Sequence, residues 1–173
     1  MGTEIFLIST SLFTGGAERQ AIWLANALSK SGYKVNLLIL KKGDELSHLV
    51  NKDINILRFQ IYSSESRILF KYLRLARLAL KTIFTIRKII NKSKAQNKVI
   101  ISFMFHSYVF GYFAKFVKSN VKLVYSVRSD RLGRRTSRKS KLRHLIFKLI
   151  SFKAHAILFN SISGMEAFKT ELN

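Results

Sequence analysis

The hydrophobic residues of this chain fall into two alternating patterns. Short, continuous apolar runs of the length of a buried strand occupy residues 5–9, 35–40, 54–61, 99–104, 122–127 and 156–160. Between them, apolar residues recur at helical spacing from Ala17 up to Gly32, which ends that segment, and again over 66–94, 108–118, 142–152 and 163–172. Strands that alternate with helices predict an α/β fold with one Rossmann-like, doubly wound and mostly parallel sheet.

We expect a single domain over residues 1–173. The chain contains no proline and no Gly/Ser-rich linker, and its length corresponds to one domain. Residues 133–141 form the one segment whose composition is typical of a mobile loop.

Composition adds a strong positive charge to this picture. Lys and Arg number 31 against 9 Asp and Glu, a formal net charge of +22, while 48% of the residues are hydrophobic. That apolar content excludes a disordered basic tail. The absence of cysteine excludes disulfide and thiolate chemistry, and the four His residues show no metal-ligand spacing. With no signal-peptide pattern and no apolar run of about 20 residues, we expect a cytoplasmic protein with an anionic partner.

The loop after the first predicted strand holds the first candidate site. Gly15 and Gly16 precede a helix, and two residues without Cβ let backbone N–H groups approach a phosphate at the positive end of the helix dipole. An ordinary strand-to-helix turn explains the pair equally well. Glu18 either favours the dipole in the first helical turn or faces the cleft and binds a sugar hydroxyl. Ser11 and Thr14 are candidate hydroxyl donors to the same phosphate.

Residues 15–35, GGAERQAIWLANALSKSGYKV, resemble the N-terminal half of the family-4-type glycosyltransferases of GT-B fold. Those enzymes have a GGAE-type loop after the first strand, L-A-x-x-L in the helix and G-(Y/H)-x-V entering the second strand. Three weaker segments extend the resemblance over most of the chain. They are residues 99–106, ending in His106; residues 125–130, with Arg128 and Asp130; and residues 154–161, with His155 where Asp is commonest. Residues 125–130 resemble the segment of members that build capsule, O-antigen or other lipid-linked glycans, and residues 154–161 resemble the stretch that leads toward the second domain.

The resemblance implies a set of roles for these residues. Gly15 and Gly16 would approach the diphosphate of a nucleotide diphosphate sugar, and Glu18, His106, Arg128 and Asp130 would bind the acceptor. His106 could also be a surface or capping residue, and Arg128 could simply pair with Asp130. No metal and no further cofactor are expected, and His106 is not expected to be a general base, because retaining enzymes of this kind use the donor diphosphate to accept the proton.

The chain departs from the family in its length. Members are roughly twice as long, and their second Rossmann-like domain carries the E-x7-E motif and most donor contacts. Glu166 and Glu171 are five residues apart and do not form that motif. We therefore expect a truncated chain, one part of a split enzyme or a remnant. Alone it should transfer little sugar, because half of a cleft cannot clamp a donor or exclude water. A non-catalytic subunit of a split glycosyltransferase is an alternative.

Two basic segments predict an anionic membrane surface as a partner. The first is the long helix over residues 66–94, which carries a stripe of Lys and Arg and no acidic residue. The second is a basic loop that leads into a helix of basic and apolar residues. The predicted membrane-binding residues are Arg67, Lys71, Arg74, Lys81, Lys88, Lys92, Arg134, Arg135, Arg138, Lys139, Lys141 and Arg143. This places the protein at the inner face of the cell membrane. Nucleic acid is the rival partner and is disfavoured, because no nucleic-acid-binding motif is present. A solvated helix face is the third explanation, but such faces normally mix both signs.

Overall fold

The computed structural model describes residues 2–61, 68–115, 120–127 and 138–172. Six parallel strands form one sheet in the order β3-β2-β1-β4-β5-β6. The strands are β1 (Thr3–Ser9), β2 (Lys34–Ile39), β3 (Asn55–Arg58), β4 (Asn97–Phe103), β5 (Val121–Val127) and β6 (Ala156–Phe159). The helices are α1 (Gly16–Lys30), α2 (Ile68–Lys92), α3 (Met104–Lys115), α4 (Arg138–Ser151) and α5 (Ile162–Leu172). The prediction of a doubly wound, parallel α/β fold is confirmed.

Both faces of the sheet are covered, which explains why the strands are mainly apolar. Six of the seven residues of β1 are buried. The strand pairs with β2, where Glu4 lies opposite Lys34, and with β4, where Thr3 lies opposite Asn97. Phe6 and Ile8 face one core, whereas Ile5 and Leu7 face the other. Because successive side chains of a strand point to opposite faces, a strand between two helix layers is mainly apolar along its whole length.

The helices divide unequally between the two faces. The core on one face includes Ala21, Ile22 and Ala25 of α1. The core on the other face receives side chains from α2, α3, α4 and α5, among them Ile86, Tyr108, Phe147 and Phe168. The connection from β1 to β2 and the connections beyond β3 run in opposite directions along the sheet. Because each crossover is right-handed, the helices of the two sets lie on opposite faces.

The predicted boundaries need one correction that affects the site. The sequence predicted a strand up to Met104 and a helix from residue 108, but β4 ends at Phe103 and α3 begins at Met104. Met104 has a φ of 70°, in the left-handed region. This residue turns the chain from strand into helix within one step, so no loop separates β4 from α3. The third strand is also shorter than predicted, at Asn55–Arg58, and the predicted start of the long helix at residue 66 lies outside the described residues.

The predicted end of α1 is confirmed. Gly32 has a φ of +84°, and its N–H donates to the carbonyl of Ser29 at 3.0 Å. The N–H of Tyr33 donates to the carbonyl of Leu28 at 3.1 Å. These two bonds form a Schellman motif, which favours glycine at the left-handed position.

The apolar residues of α2 are not all buried. Tyr72, Leu73 and Leu80 are exposed. Among the described side chains of α2, the buried ones are those of Thr82, Ile86 and Ile90. Among the described side chains of α2, the core contacts are therefore concentrated in the second half of the helix.

Candidate functional site

The candidate site lies where β1 and β4 end side by side. After β1 the chain continues into α1 on one face of the sheet, and after β4 it continues into α3 on the other face. The two connections diverge and leave a crevice between the carboxyl ends of the strands. In doubly wound folds, this topological switch point is where ligands bind.

The loop after β1 is fixed to the loop after β2. Leu12 is fully buried, and its N–H donates to the carbonyl of Gly43 at 3.2 Å while its carbonyl accepts from the N–H of Leu46 at 3.0 Å. Thr14 donates from its N–H and its hydroxyl to one carboxylate oxygen of Glu45, at 3.0 and 2.6 Å. The loop is therefore held in one position before it reaches the glycine pair.

Thr14 does not have the role that the sequence suggested. Its hydroxyl and amide both bind Glu45, so neither is directed to a phosphate. These two hydrogen bonds lower the pKa of the Glu45 carboxyl below its usual range. Sequence reasoning missed Glu45, because the two residues are 31 positions apart and no periodicity connects them.

The two glycines play different structural parts at the start of α1. Gly15 is the N-cap residue, with extended backbone at φ −152° and no side-chain cap. A Cβ at Gly15 would collide with the carboxylate of Glu18, whereas a Cβ at Gly16 would meet no atom within 4 Å. Gly15 therefore leaves room for Glu18, and exposed Gly16 leaves the first turn of α1 open to a ligand.

Glu18 is half-buried in the first turn of α1, as predicted, and is directed back over the loop. Its Oε1 accepts a hydrogen bond from the hydroxyl of buried Ser11 at 3.4 Å. Glu18 is the third residue of α1, and a carboxylate at this position commonly turns back toward the N-cap. The contact with Ser11 places the carboxylate against the loop after β1.

His106 lies in the first turn of α3, and not in a loop after the strand as the sequence suggested. It is half-buried, and the pKa of its imidazole is lowered first by burial and then by the positive charges of Lys41 and Arg143. A lowered pKa favours the neutral ring near pH 7. Neutral imidazole has one donor and one acceptor nitrogen, which suits contact with a sugar hydroxyl.

Lys41 and Arg143 are site residues that the sequence did not single out for this role. Lys41 follows β2, and its N–H donates to the carbonyl of Thr10 at 2.8 Å, at the end of β1. Arg143 of α4 lies with its Cζ 5.8 Å from the centre of the Phe105 ring, next to His106. Together they make the crevice attractive to an anion. The position of Lys41 directly after a predicted strand was a usable signal, but nothing in the sequence connects Arg143 to His106.

Several predicted site residues cannot be placed. Arg128 and Asp130 lie outside the described residues, as do Arg67, Arg134 and Arg135. The side chains of Lys71, Arg138 and Lys139 are likewise outside the described part, although their backbone is helical. The other predicted membrane-binding residues are exposed, namely Arg74, Lys81, Lys88, Lys92, Lys141 and Arg143.

No group of three or more His, Cys, Asp or Glu side chains in the described ranges could hold a metal ion. None of the described helices combines the length and the apolar character that crossing a membrane requires.

Comparison with known proteins identifies the family. The sequence profile described as Glycosyltransferase Family 4 matches residues 14–172. The chain belongs to glycosyltransferase family 4. This profile match confirms the resemblance carried by the GGAE window. No curated protein matches the chain at a significant level.

Solved structures agree on the fold of this family 4 chain. Anabaena Alr3699/HepE, solved in complex with UDP and glucose, is 19% identical with a TM-score of 0.66, and the match covers 96% of this chain and 40% of HepE. Acinetobacter baumannii MurG is 15% identical with a TM-score of 0.60, covering 92% of this chain and 41% of MurG. Phytolacca americana UGT2, complexed with UDP-2fluoro-glucose and pterostilbene, is 10% identical with a TM-score of 0.59, covering 98% and 51%. The chain has the fold of one half of a GT-B enzyme and spans about half the length of these structures or less.

Proposed function

We propose that this chain is the acceptor-side half of a retaining glycosyltransferase. The enzyme would move a sugar from a nucleotide diphosphate sugar to a lipid-linked or polysaccharide acceptor at the inner face of the cell membrane. The observation that carries this proposal is the pairing of two helix starts at one switch point. Gly15, Gly16 and Glu18 lie at the start of α1, and His106 lies at the start of α3.

The start of α1 is the proposed diphosphate contact. The free N–H groups of the first turn and the helix dipole favour a negative charge there. Gly16 is exposed with no atom near its missing Cβ, so a phosphate oxygen can approach its backbone closely. Backbone amides and basic side chains carry the phosphate charge in this proposal, which needs no metal ion.

The acceptor contact is formed by the other side of the crevice. Glu18 and neutral His106 would orient an acceptor hydroxyl, with Arg128 and Asp130 as further candidates. In the proposed retaining reaction, the bond from the sugar to the diphosphate breaks as the acceptor oxygen bonds to the same face of the sugar. The hydroxyl proton passes to the departing phosphate, so His106 orients the acceptor and does not act as a base.

The donor nucleoside would be held by a second Rossmann-like unit. The solved GT-B structures are about twice as long as this chain or longer, which supports a partner domain or subunit that closes over the crevice. We expect little or no transfer by the 173 residues alone, because a half-open cleft neither orients both substrates nor excludes water.

The diphosphate contact can be tested on the chain by itself. Pyrophosphate and UDP are titrated into ¹⁵N-labelled protein, and we expect the amide signals of Gly15 and Gly16 to shift while those of Gly32, at the far end of α1, and Gly111 stay in place. Gly16→Val should weaken pyrophosphate binding about tenfold, since it blocks a charge-assisted backbone hydrogen bond. Gly2→Val is the matched control, because Gly2 is equally open and lies far from the crevice. Equal binding by the two variants, or shifts confined to the basic helices, would contradict the assignment.

A further inference from the structure

Three neighbouring helices on one face of the sheet are free of negative charge. Helices α2, α3 and α4 pack side by side, α3 against both others, and share one core. Their sequences contain no Asp or Glu. Helix α5, which shares the same core, carries Glu166 and Glu171, and α1 on the opposite face carries Glu18. The charged side chains on the outer side of the α2–α3–α4 layer are therefore all positive. A high net charge alone would not exclude acidic residues from three neighbouring helices.

Helix α4 presents large apolar side chains to solvent. Leu142, Leu145 and Leu149 are 58%, 54% and 61% exposed, and Phe152 just beyond the helix is 69% exposed. The intervals of three, four and three residues place them on one stripe. The opposite side of the same helix buries Phe147 and Ile150 in the core, so this second stripe is not needed for folding.

Helix α2 repeats this arrangement. Leu73, Leu80 and Phe84 are 65%, 57% and 62% exposed at helical spacing, among exposed Lys81 and Lys88. Large apolar residues exposed on two helices of one layer are more than the scattered singles of an ordinary surface. Apolar anchors mixed with Lys and Arg on a helix are typical of segments that lie in the membrane interface.

A basic patch lies beside one of these anchors. It is a shallow, open surface on α2 formed by Phe84, Arg87, Lys88, Asn91 and Lys92. Arg87 is fixed there, because its Nε donates to the carbonyl of Phe113 at 2.9 Å and its Cζ lies 5.7 Å from the Phe84 ring centre. A held guanidinium with two neighbouring ammonium groups is suited to a lipid phosphate.

We propose that the outer side of the α2–α3–α4 layer inserts into an anionic bilayer. The leucine and phenylalanine anchors would enter the boundary between headgroups and acyl chains, while Lys and Arg bind the lipid phosphates. This inference rests on the membrane-face part of the proposed function and names the surface that carries it. A bilayer explains both kinds of side chain, whereas a nucleic-acid backbone gives leucine no favourable contact and an acidic protein gives no reason for anchors on two separate helices.

The single tryptophan gives the experiment an internal reference. Trp23 is 61% exposed on α1, on the opposite face of the sheet. Three proteins are compared on vesicles of equal phosphatidylglycerol and brominated phosphatidylcholine: wild type, Trp23→Phe with Phe152→Trp, and Trp23→Phe with Phe84→Trp. We expect the two relocated tryptophans to be quenched and shifted to shorter wavelength, while Trp23 of the wild type is neither.

A second set of variants separates insertion from surface attraction. Leu145→Ser with Leu149→Ser should lower the vesicle partition coefficient about 100-fold, because two leucine side chains lose their burial in lipid. Lys141→Gln and Lys148→Gln should each lower it about 5-fold and only on anionic vesicles. Trp23→Ser is the matched control, since it removes one exposed apolar side chain from the other face and should leave binding unchanged. Circular dichroism verifies that each variant is folded.

Three outcomes would overturn the proposal. They are quenching of Trp23 in place of the relocated tryptophans, binding that high salt abolishes with no quenching at all, and preferential binding to nucleic acid that the leucine changes do not affect. The pyrophosphate titration is independent of this experiment. If the vesicle experiment fails while Gly16→Val still weakens pyrophosphate binding, the bilayer surface is refuted and the diphosphate contact stands. If the vesicle experiment succeeds while Gly16→Val binds pyrophosphate like the control, the diphosphate contact is refuted and the bilayer surface stands.

Discussion

Replacement of Gly111 by alanine should push α3 away from the sheet, and α3 is the helix that carries His106. A Cβ at Gly111 would collide with the hydroxyl of Ser102 on β4. It would also lie 3.2 Å from Cδ1 of Leu123 and 3.4 Å from Cγ2 of Ile100. All three neighbours belong to strands of the central sheet, so they cannot move aside as an exposed side chain would.

The size of this effect follows from two opposing contributions. Overpacking of a core contact costs about 1–3 kcal/mol, whereas alanine is favoured over glycine within a helix by about 1 kcal/mol. Gly111→Ala should therefore lower the free energy of unfolding by about 1 kcal/mol, or a few degrees in Tm for a chain of this size.

Ser102→Ala removes the atom with which the new methyl group collides. The Ser102 hydroxyl is buried, and no described residue forms a hydrogen bond with it, so its loss should cost little. The double variant should be at least as stable as the wild type, which corresponds to a coupling energy of about 1–2 kcal/mol between the two sites.

Urea unfolding followed by circular dichroism measures all four members of this cycle. Gly16→Ala is the control, because its Cβ meets no atom within 4 Å and it should be neutral or stabilising. Simple additivity of Gly111→Ala and Ser102→Ala would refute the argument. So would a Gly111→Ala variant whose stability equals that of the wild type.

Three further predictions concern the crevice. Gly15→Ala should displace the flexible Glu18 carboxylate, changing the Tm little but breaking the contact with Ser11, as the Glu18 side-chain NMR signals would report. Met104→Val should destabilise the chain by about 1 kcal/mol or more and Met104→Gly should not, because a β-branched residue is strained at a φ of 70°; equal urea midpoints would contradict this. The His106 pKa is lowered in the folded state, so the unfolded chain binds the proton first. Stability should therefore fall as the pH falls through about 6.5 toward the lowered folded value, and His106→Gln should flatten that part of a Tm-against-pH curve.

The sequence alone determined the order of strands and helices and the left-handed glycine after α1. Both are local properties. A strand between two helix layers is mainly apolar along its length, and Gly32 adopts a φ that other residues avoid. The GGAE window also sufficed for the family, since it combines a loop, a helix start and a strand entry within 21 consecutive residues, 15–35.

The tertiary structure decided which of these residues meet. Lys41, His106 and Arg143 come from separate parts of the chain, and they converge because β1 lies between β2 and β4 while α4 packs against α3. The apolar pattern of α2 does not distinguish buried Ile86 from exposed Leu80, because periodicity describes one helix and not the layer that covers it. Contacts between distant segments depend on strand order and helix packing, and both are settled only when the whole core forms.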